Sequence, residues 1–247
     1  MAAAVKLHRH VGRRRAARFL AVGPNLVEAA LRRGVVSEVV ATETAAERFR
    51  DLLVGAPVHL VTERAAKALS DTVTPVGLVA VCAMPDTDLD AVLAAGPTLL
   101  AVPVGISEPG NAGTLIRVAD AMGADAVVLA GPSVDPYNGK CLRASAGSIF
   151  TIPVVGDPDA VGVVRALKAA GLQVLATTLG GETDLDDAAL ASSTACFFGP
   201  APPGLPVAVA VLATARVRIP MPGNAESLNV ASAAAICLYE SARHRRK

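Results

Sequence analysis

From residue 98 onward, short apolar runs alternate with longer stretches of helical period, most of them stopped by a glycine, and few folds accommodate that order. Residues 98–104 read as a buried strand, 112–122 as a helix ended by Gly123, and 126–129 as the next strand. Residues 159–170 repeat the helical pattern up to Gly171, and 173–177 and 195–198 are further strands. This is the β-loop-α-β order of a mainly parallel sheet, whose ligand-binding loops leave the carboxyl ends of the strands. The loop after residue 104 has no G-x-G-x-x-G, so a dinucleotide fingerprint is excluded there.

The first 90 residues alternate in the same way on a smaller scale. Helices are expected at 25–32, 42–54 and from Thr62 to about Ser70, with strands at 35–41, 56–61 and 77–82. That pattern predicts a separate three-layer α/β sandwich with a partly parallel sheet. The segment 84–97, with Pro85, three Asp residues and Gly96, reads as a linker. Two domains are expected, 1–95 and 96–247.

Composition excludes several classes. Hydrophobic residues make up 52% of the chain, much of it Ala and Val, which suits helices lying closely on parallel strands and argues against disorder. No apolar run is long enough to cross a bilayer, and no apolar h-region follows the basic amino terminus, so a cytoplasmic protein without membrane contact is expected. Cys82, Cys141, Cys196 and Cys237 are far apart and lack zinc-ligand spacing; they read as reduced, buried thiols, and no metal is expected. The formal net charge is only +1, but its distribution is uneven. Lys6, Arg9, Arg13, Arg14, Arg15 and Arg18 precede any acidic residue, and Arg243, Arg245, Arg246 and Lys247 crowd the tail. Such patches fit a polyanion, although an isolated basic run is more often a solvated face.

The stretch 216–240, RVRIPMPGNAESLNVASAAAICLYE, combines a short strand, a proline-fixed loop and an Ala-rich helix that Ser227 can cap. The loop offers backbone groups in fixed positions, suited to a polar small molecule or simply to a tight turn. IPMPGNAESLNVASAAAICLYE resembles the third signature motif of the SpoU/TrmH family of RNA ribose 2′-O-methyltransferases, in the SPOUT superfamily. Asn111, Gly113-Thr114 and Arg117 resemble its first motif, and DPYNGKCLRASAGSIFTIPV resembles a further family hallmark. KLHRHVGRRRAARFLAVGPNLVEAAL and SDTVTPVGLVAV are similar to the opening and closing of the L30e-like RNA-binding domain found in the subgroup that includes thiostrepton-resistance enzymes.

The resemblance implies an L30e-like α/β/α sandwich followed by a SPOUT α/β domain with a carboxy-terminal trefoil knot, a homodimer, and S-adenosyl-L-methionine as methyl donor. It implies that Arg117, Asn111, Ser227 and Asn229 serve catalysis, with Arg117 beside the target nucleotide. Donor contacts fall on Thr177, Thr178, Gly199, Ile219, Pro220, Met221, Ser227 and Leu228, and RNA contacts on Arg9, Arg14, Arg15, Arg18 and Arg143. The implied substrate is 23S ribosomal RNA; a tRNA 2′-O-methyltransferase and a non-catalytic RNA-binding paralogue are the alternatives. The paralogue is raised by one departure: the second motif reads Gly-Asn-Glu in the family, but Pro200 and Ala201 follow Gly199 here. Glu226 is the nearest acid that could substitute.

Overall fold

The computed structural model describes residues 2–200 and 202–245. Two sheets carry eleven strands: β1 (Arg18–Val22), β2 (Val36–Ala41), β3 (Val58–Leu60), β4 (Leu78–Ala83), β5 (Leu99–Pro103), β6 (Ala126–Ala130), β7 (Val154–Asp157), β8 (Gln173–Thr177), β9 (Thr183–Asp184), β10 (Thr194–Phe198) and β11 (Ala215–Arg218). The first sheet has the order β1-β4-β2-β3, with only β2 and β3 parallel. The second, β7-β6-β5-β10-β8-β11-β9, is parallel throughout. This is the α/β architecture expected from the alternation of apolar runs and helices.

The two-residue period of the strands decides where each side chain goes. In β4, Leu78, Ala80 and Cys82 join one apolar cluster while Val79 and Val81 join another. In β5, Leu99 and Ala101 face the first of these clusters and Leu100 and Val102 a third. One cluster therefore runs from Phe19 and Val27 beside the small sheet to Cys196 and Val217 in the large one, so the two halves share a core.

Helix Pro109–Ala121 lies at the centre of that core, packed on Gly139–Ser145 and on the terminal helix Val230–Arg245. The close approach rests on Gly113. A Cβ there would lie 2.6 Å from the Ala144 Cβ and 3.0 Å from the Ser145 N, and nearer still to the Cys141 carbonyl oxygen. The terminal helix buries Val230, Ala231, Ala234, Cys237, Leu238, Ser241 and Ala242, a stripe of helical period in which small residues permit contact between backbones.

Several local expectations change. The helix expected over 112–122 is Pro109–Ala121, capped by Glu108, whose Oε1 accepts from the Gly110 N–H at 3.4 Å. Asn229 rather than Ser227 caps the terminal helix, its Oδ1 accepting from the Ala231 N–H at 2.9 Å. The helix expected over 42–54 is Glu43–Arg48, capped by Thr42, and the next turns do not continue it. Ser148–Phe150 forms a 3-10 turn ahead of β7, which begins at Val154. Leu89–Ala94, read as linker, is a helix whose Leu89 and Val92 pack against the large sheet. Val207–Leu212 is a further helix, with Val209 packed against the large sheet.

Ala is favoured over Gly in a helix by about 1 kcal/mol, but overpacking costs about 1–3 kcal/mol and a backbone oxygen cannot turn aside. Gly113→Ala is therefore expected to lower the denaturation midpoint in urea; an unchanged or raised midpoint would show that the helix pair has slack.

Candidate active site

Strands β10, β8 and β11 are neighbours and run parallel, so the loops that follow Phe198, Thr177 and Arg218 emerge side by side. Together with the start of the terminal helix they enclose a cleft of about 440 Å3. Thr177, Thr178 and Leu179 form one wall, Phe198 to Pro200 and Pro202 to Leu205 a second, and Ile219, Met221 and Glu226 to Leu228 a third. The size falls in the range of small-molecule sites, and the mixture of apolar walls with a few hydroxyls is typical of them. Seven of the eight residues expected at the donor site line this cleft; Pro220 does not, and stands exposed between two that do.

Gly199 sets the shape of the second wall. A Cβ there would lie 2.7 Å from the Gly204 carbonyl oxygen and closer to the Gly204 carbonyl carbon and the Leu205 N, so the loop closes on itself only without a side chain. The Gly204 N–H donates to the Pro200 carbonyl across the same turn at 2.6 Å. Pro200 thus keeps its carbonyl in use while lacking an N–H. Ala201 lies outside the described residues. Glu226 lines the same cleft from the third wall, so a carboxylate-bearing residue is present in the cleft although the second wall lacks the motif's acid. At the third wall, Arg216 and Arg218 are tied to Glu182 and Asp184, holding β11 to the loop after Thr178. A Cβ on Gly181 would meet the Val217 carbonyl carbon at 2.5 Å, so that loop, too, lies against the strand backbone.

The Asn229 side-chain amide is used at both ends. Its Oδ1 caps the terminal helix, and its Nδ2 donates to the Asn111 Oδ1 at 3.0 Å. Two residues expected in catalysis are therefore brought together, and the bond ties the cleft loop to the central helix. Ser227 is exposed and lines the cleft. Arg117 is exposed and, among the described residues, makes no hydrogen bond or ion pair. Six residues at about 100° each turn it roughly 120° away from Asn111, so the two do not address one point, and Arg117 does not line the cleft.

The basic run divides. Arg9, Arg14, Arg15 and Arg18 are exposed, whereas Arg13 is buried. Arg143 is half-exposed and paired with Asp71 at 2.5 Å. At the tail, Arg243 pairs with Glu240, and Arg245 donates to the Ser192 carbonyl at 2.7 Å, while Arg246 and Lys247 lie outside the described residues. Burial raises the thiol of Cys196 to about 11 and those of Cys82, Cys141 and Cys237 to about 12, so none is placed to act as a nucleophile. Among the described residues no group of three or more His, Cys, Asp or Glu is arranged to hold a metal ion, and no helix is long and apolar enough to cross a membrane.

Residues 98–239 match the SpoU rRNA Methylase family, and residues 2–80 match the MRM3-like substrate binding domain. The chain belongs to the SpoU rRNA methylase family. It is 39% identical over 236 residues, 95% of its length and 92% of the relative's, to the 23S rRNA (guanosine(2553)-2′-O)-methyltransferase RlmP of Bacillus subtilis strain 168. The crystal structure of the SpoU methyltransferase AviRb from Streptomyces viridochromogenes in complex with AdoMet superposes with a TM-score of 0.89 at 31% identity, covering 99% of this chain and 97% of that one. The AdoMet-bound rRNA methyltransferase from Sinorhizobium meliloti gives a TM-score of 0.86 at 31% identity, covering 98% of this chain and 94% of that one.

Gly199→Ala is expected to force the second wall open and weaken binding of S-adenosylhomocysteine at least about tenfold, the equivalent of about 1.4 kcal/mol. Calorimetric titration reads this directly; unaltered affinity would mean that the wall plays no part in the site.

Proposed function

We propose that the protein transfers a methyl group from S-adenosyl-L-methionine to a ribose 2′-hydroxyl of 23S ribosomal RNA. The observation that carries this reading is the cleft formed by three adjacent strand-end loops, in a chain that aligns along nearly its whole length with RNA 2′-O-methyltransferases. When bound, the donor supplies an electrophilic methyl group on a sulfonium. Leu179, Phe198, Ile219, Met221 and Leu228 offer apolar surface to its adenosyl portion, and Thr177, Thr178 and Ser227 offer hydroxyls. The Gly199 wall excludes water from one side. Most of the rate gain from such a site comes from holding two reactants in line.

Arg117 is the group we assign to the nucleotide. A guanidinium keeps its proton at any working pH, so it does not serve as the base. It instead stabilises the oxygen that gains negative charge and grips the neighbouring phosphate through two parallel hydrogen bonds, and a phosphate oxygen takes the hydroxyl proton. The Asn229–Asn111 bond fixes the cleft loop to the helix that carries Arg117. The exposed Arg9, Arg14, Arg15 and Arg18 bind the RNA backbone from the amino-terminal module, whose boundary we place in residues 84–88, ahead of the helix that packs on the large sheet. We further propose a homodimer through the terminal helix, where Ile236 (38% exposed) and Tyr239 (54% exposed) present apolar surface one turn apart. A cytoplasmic location follows from the ribosomal substrate.

Pro200 favours a second reading, an RNA-binding relative that has lost transfer. Titration with S-adenosylhomocysteine separates the two: micromolar binding supports the enzyme, and no binding to the folded protein supports the second reading. Arg117→Ala is expected to reduce methyl transfer at least about 100-fold with affinity for S-adenosylhomocysteine held within about twofold; undiminished turnover would remove Arg117 from the mechanism.

A further inference from the structure

Arg13 sits in the middle of a run of cations, yet it does not behave like its neighbours. Its side chain is 5% exposed, and the Asp135 carboxylate that it meets is 12% exposed. The guanidinium Nε and Nη2 donate to the Asp135 Oδ2 at 2.8 and 2.6 Å, and Nη1 donates to the Leu7 and His8 carbonyls at 2.9 Å each. The other carboxylate oxygen, Oδ1, accepts from the Tyr137 N–H at 2.9 Å, so Asp135 shapes its own turn while holding the arginine. The pair joins the helix that carries the exposed arginines to a loop that follows β6 of the large sheet. The imidazole of His10, 54% exposed, stands 3.9 Å from the same carboxylate.

Other contacts cross this seam. Tyr137 packs on the Phe19 ring at 4.7 Å between centroids, and Phe150 lies 5.9 Å from the same ring. Asp71 lies against Gly139 and pairs with Arg143. Beside Arg13, however, the seam is not filled: Leu7, His8, Leu20, Asp71 and Asn138 are among the residues that border a cleft of about 380 Å3. Packing holds one side of the joint, and on the open side it is tied by two ion pairs, of which Arg13–Asp135 is the buried one and Arg143–Asp71 the more exposed.

We propose that Arg13 is a positioning residue for methyl transfer. Through Asp135 it fixes the angle at which the exposed surface of Arg9, Arg14 and Arg15 presents RNA to the cleft at the ends of β10, β8 and β11. Buried pairs do not reliably add stability, but they do enforce one geometry, and removing one partner strands a charge. The inference rests on the RNA methylation proposed above.

The test places fluorophores on Val54→Cys and Val211→Cys, both exposed and one in each half, while the four native thiols are buried and remain unlabelled. Energy transfer is compared for the parent, Arg13→Ala, Asp135→Asn and the reversed pair Arg13→Asp with Asp135→Arg. Asp135→Asn keeps the side-chain shape and guards against failure to fold. The expected result is one narrow distance distribution in the parent, broadened in both single variants and narrowed again by the reversed pair. In steady-state methylation of 23S ribosomal RNA, kcat should fall at least about tenfold, with KM and S-adenosylhomocysteine affinity held within about threefold. Unchanged distance distributions in folded single variants would overturn the proposal. A parent that transfers no methyl group would instead count against the enzymatic reading, and the distance measurement would still decide whether Arg13 holds the joint.

Discussion

The close approach of backbones at Gly113 is the constraint on which the rest of the molecule depends. Helix Pro109–Ala121 is wedged between two others, and each carries a different part of the function. On one side Gly139–Ser145 continues the loop of Asp135 and Tyr137, which receives the amino-terminal module. On the other, Val230–Arg245 brings the third wall of the cleft into place and is tied back through Asn229 to Asn111. A larger residue at position 113 would push directly on Gly139–Ser145, the helix that continues the loop of Asp135 and Tyr137. The exposed arginines of the amino-terminal half and the cleft are thus linked through one tightly packed helix and one buried ion pair.

The cleft itself follows from sheet order. Parallel strands send the loops at their carboxyl ends to the same edge, and β10 lies between β5 and β8, with β11 beyond β8. Loops distant in sequence, at 177–179, 198–205 and 219–228, therefore share one site. Gly199 and Gly181 are needed there because the loops lie on neighbouring backbone, a steric requirement on the protein itself. Pro200 is compatible with the same shape, since its carbonyl rather than an N–H closes the turn. A proline at position 200 therefore leaves the turn closed, and Glu226 lines the same cleft from the third wall.

Much of this was legible in the sequence. Strand 173–177 follows from its local pattern, and so does the helix expected from 159, which begins one residue later because the Asp159 side-chain oxygen takes up a free N–H of its first turn. Ser227 was the natural choice of cap by composition, but the loop stays irregular for two further residues and Asn229 takes the role while also reaching Asn111. The helix Leu89–Ala94 was hidden by its Asp residues, one of which, Asp88, turns out to be its cap. Arg13 could not be distinguished from Arg14 by type or spacing. Only the fold, by placing Asp135 beside it 122 positions later in the chain, separates a buried tie from a solvated cation. Helix phase sets Arg117 apart from Asn111 by spacing alone, but that Arg117 lies outside the cleft lining depends on how the central helix packs.

The most direct test of the account is mass-spectrometric analysis of nucleosides from 23S ribosomal RNA, lacking the modification, after incubation with the purified protein and S-adenosyl-L-methionine. The account predicts one 2′-O-methylated nucleoside that appears in proportion to the protein and is absent when S-adenosylhomocysteine is present in excess. RNA returned with every ribose unmodified, from a folded protein that binds S-adenosylhomocysteine, would contradict it.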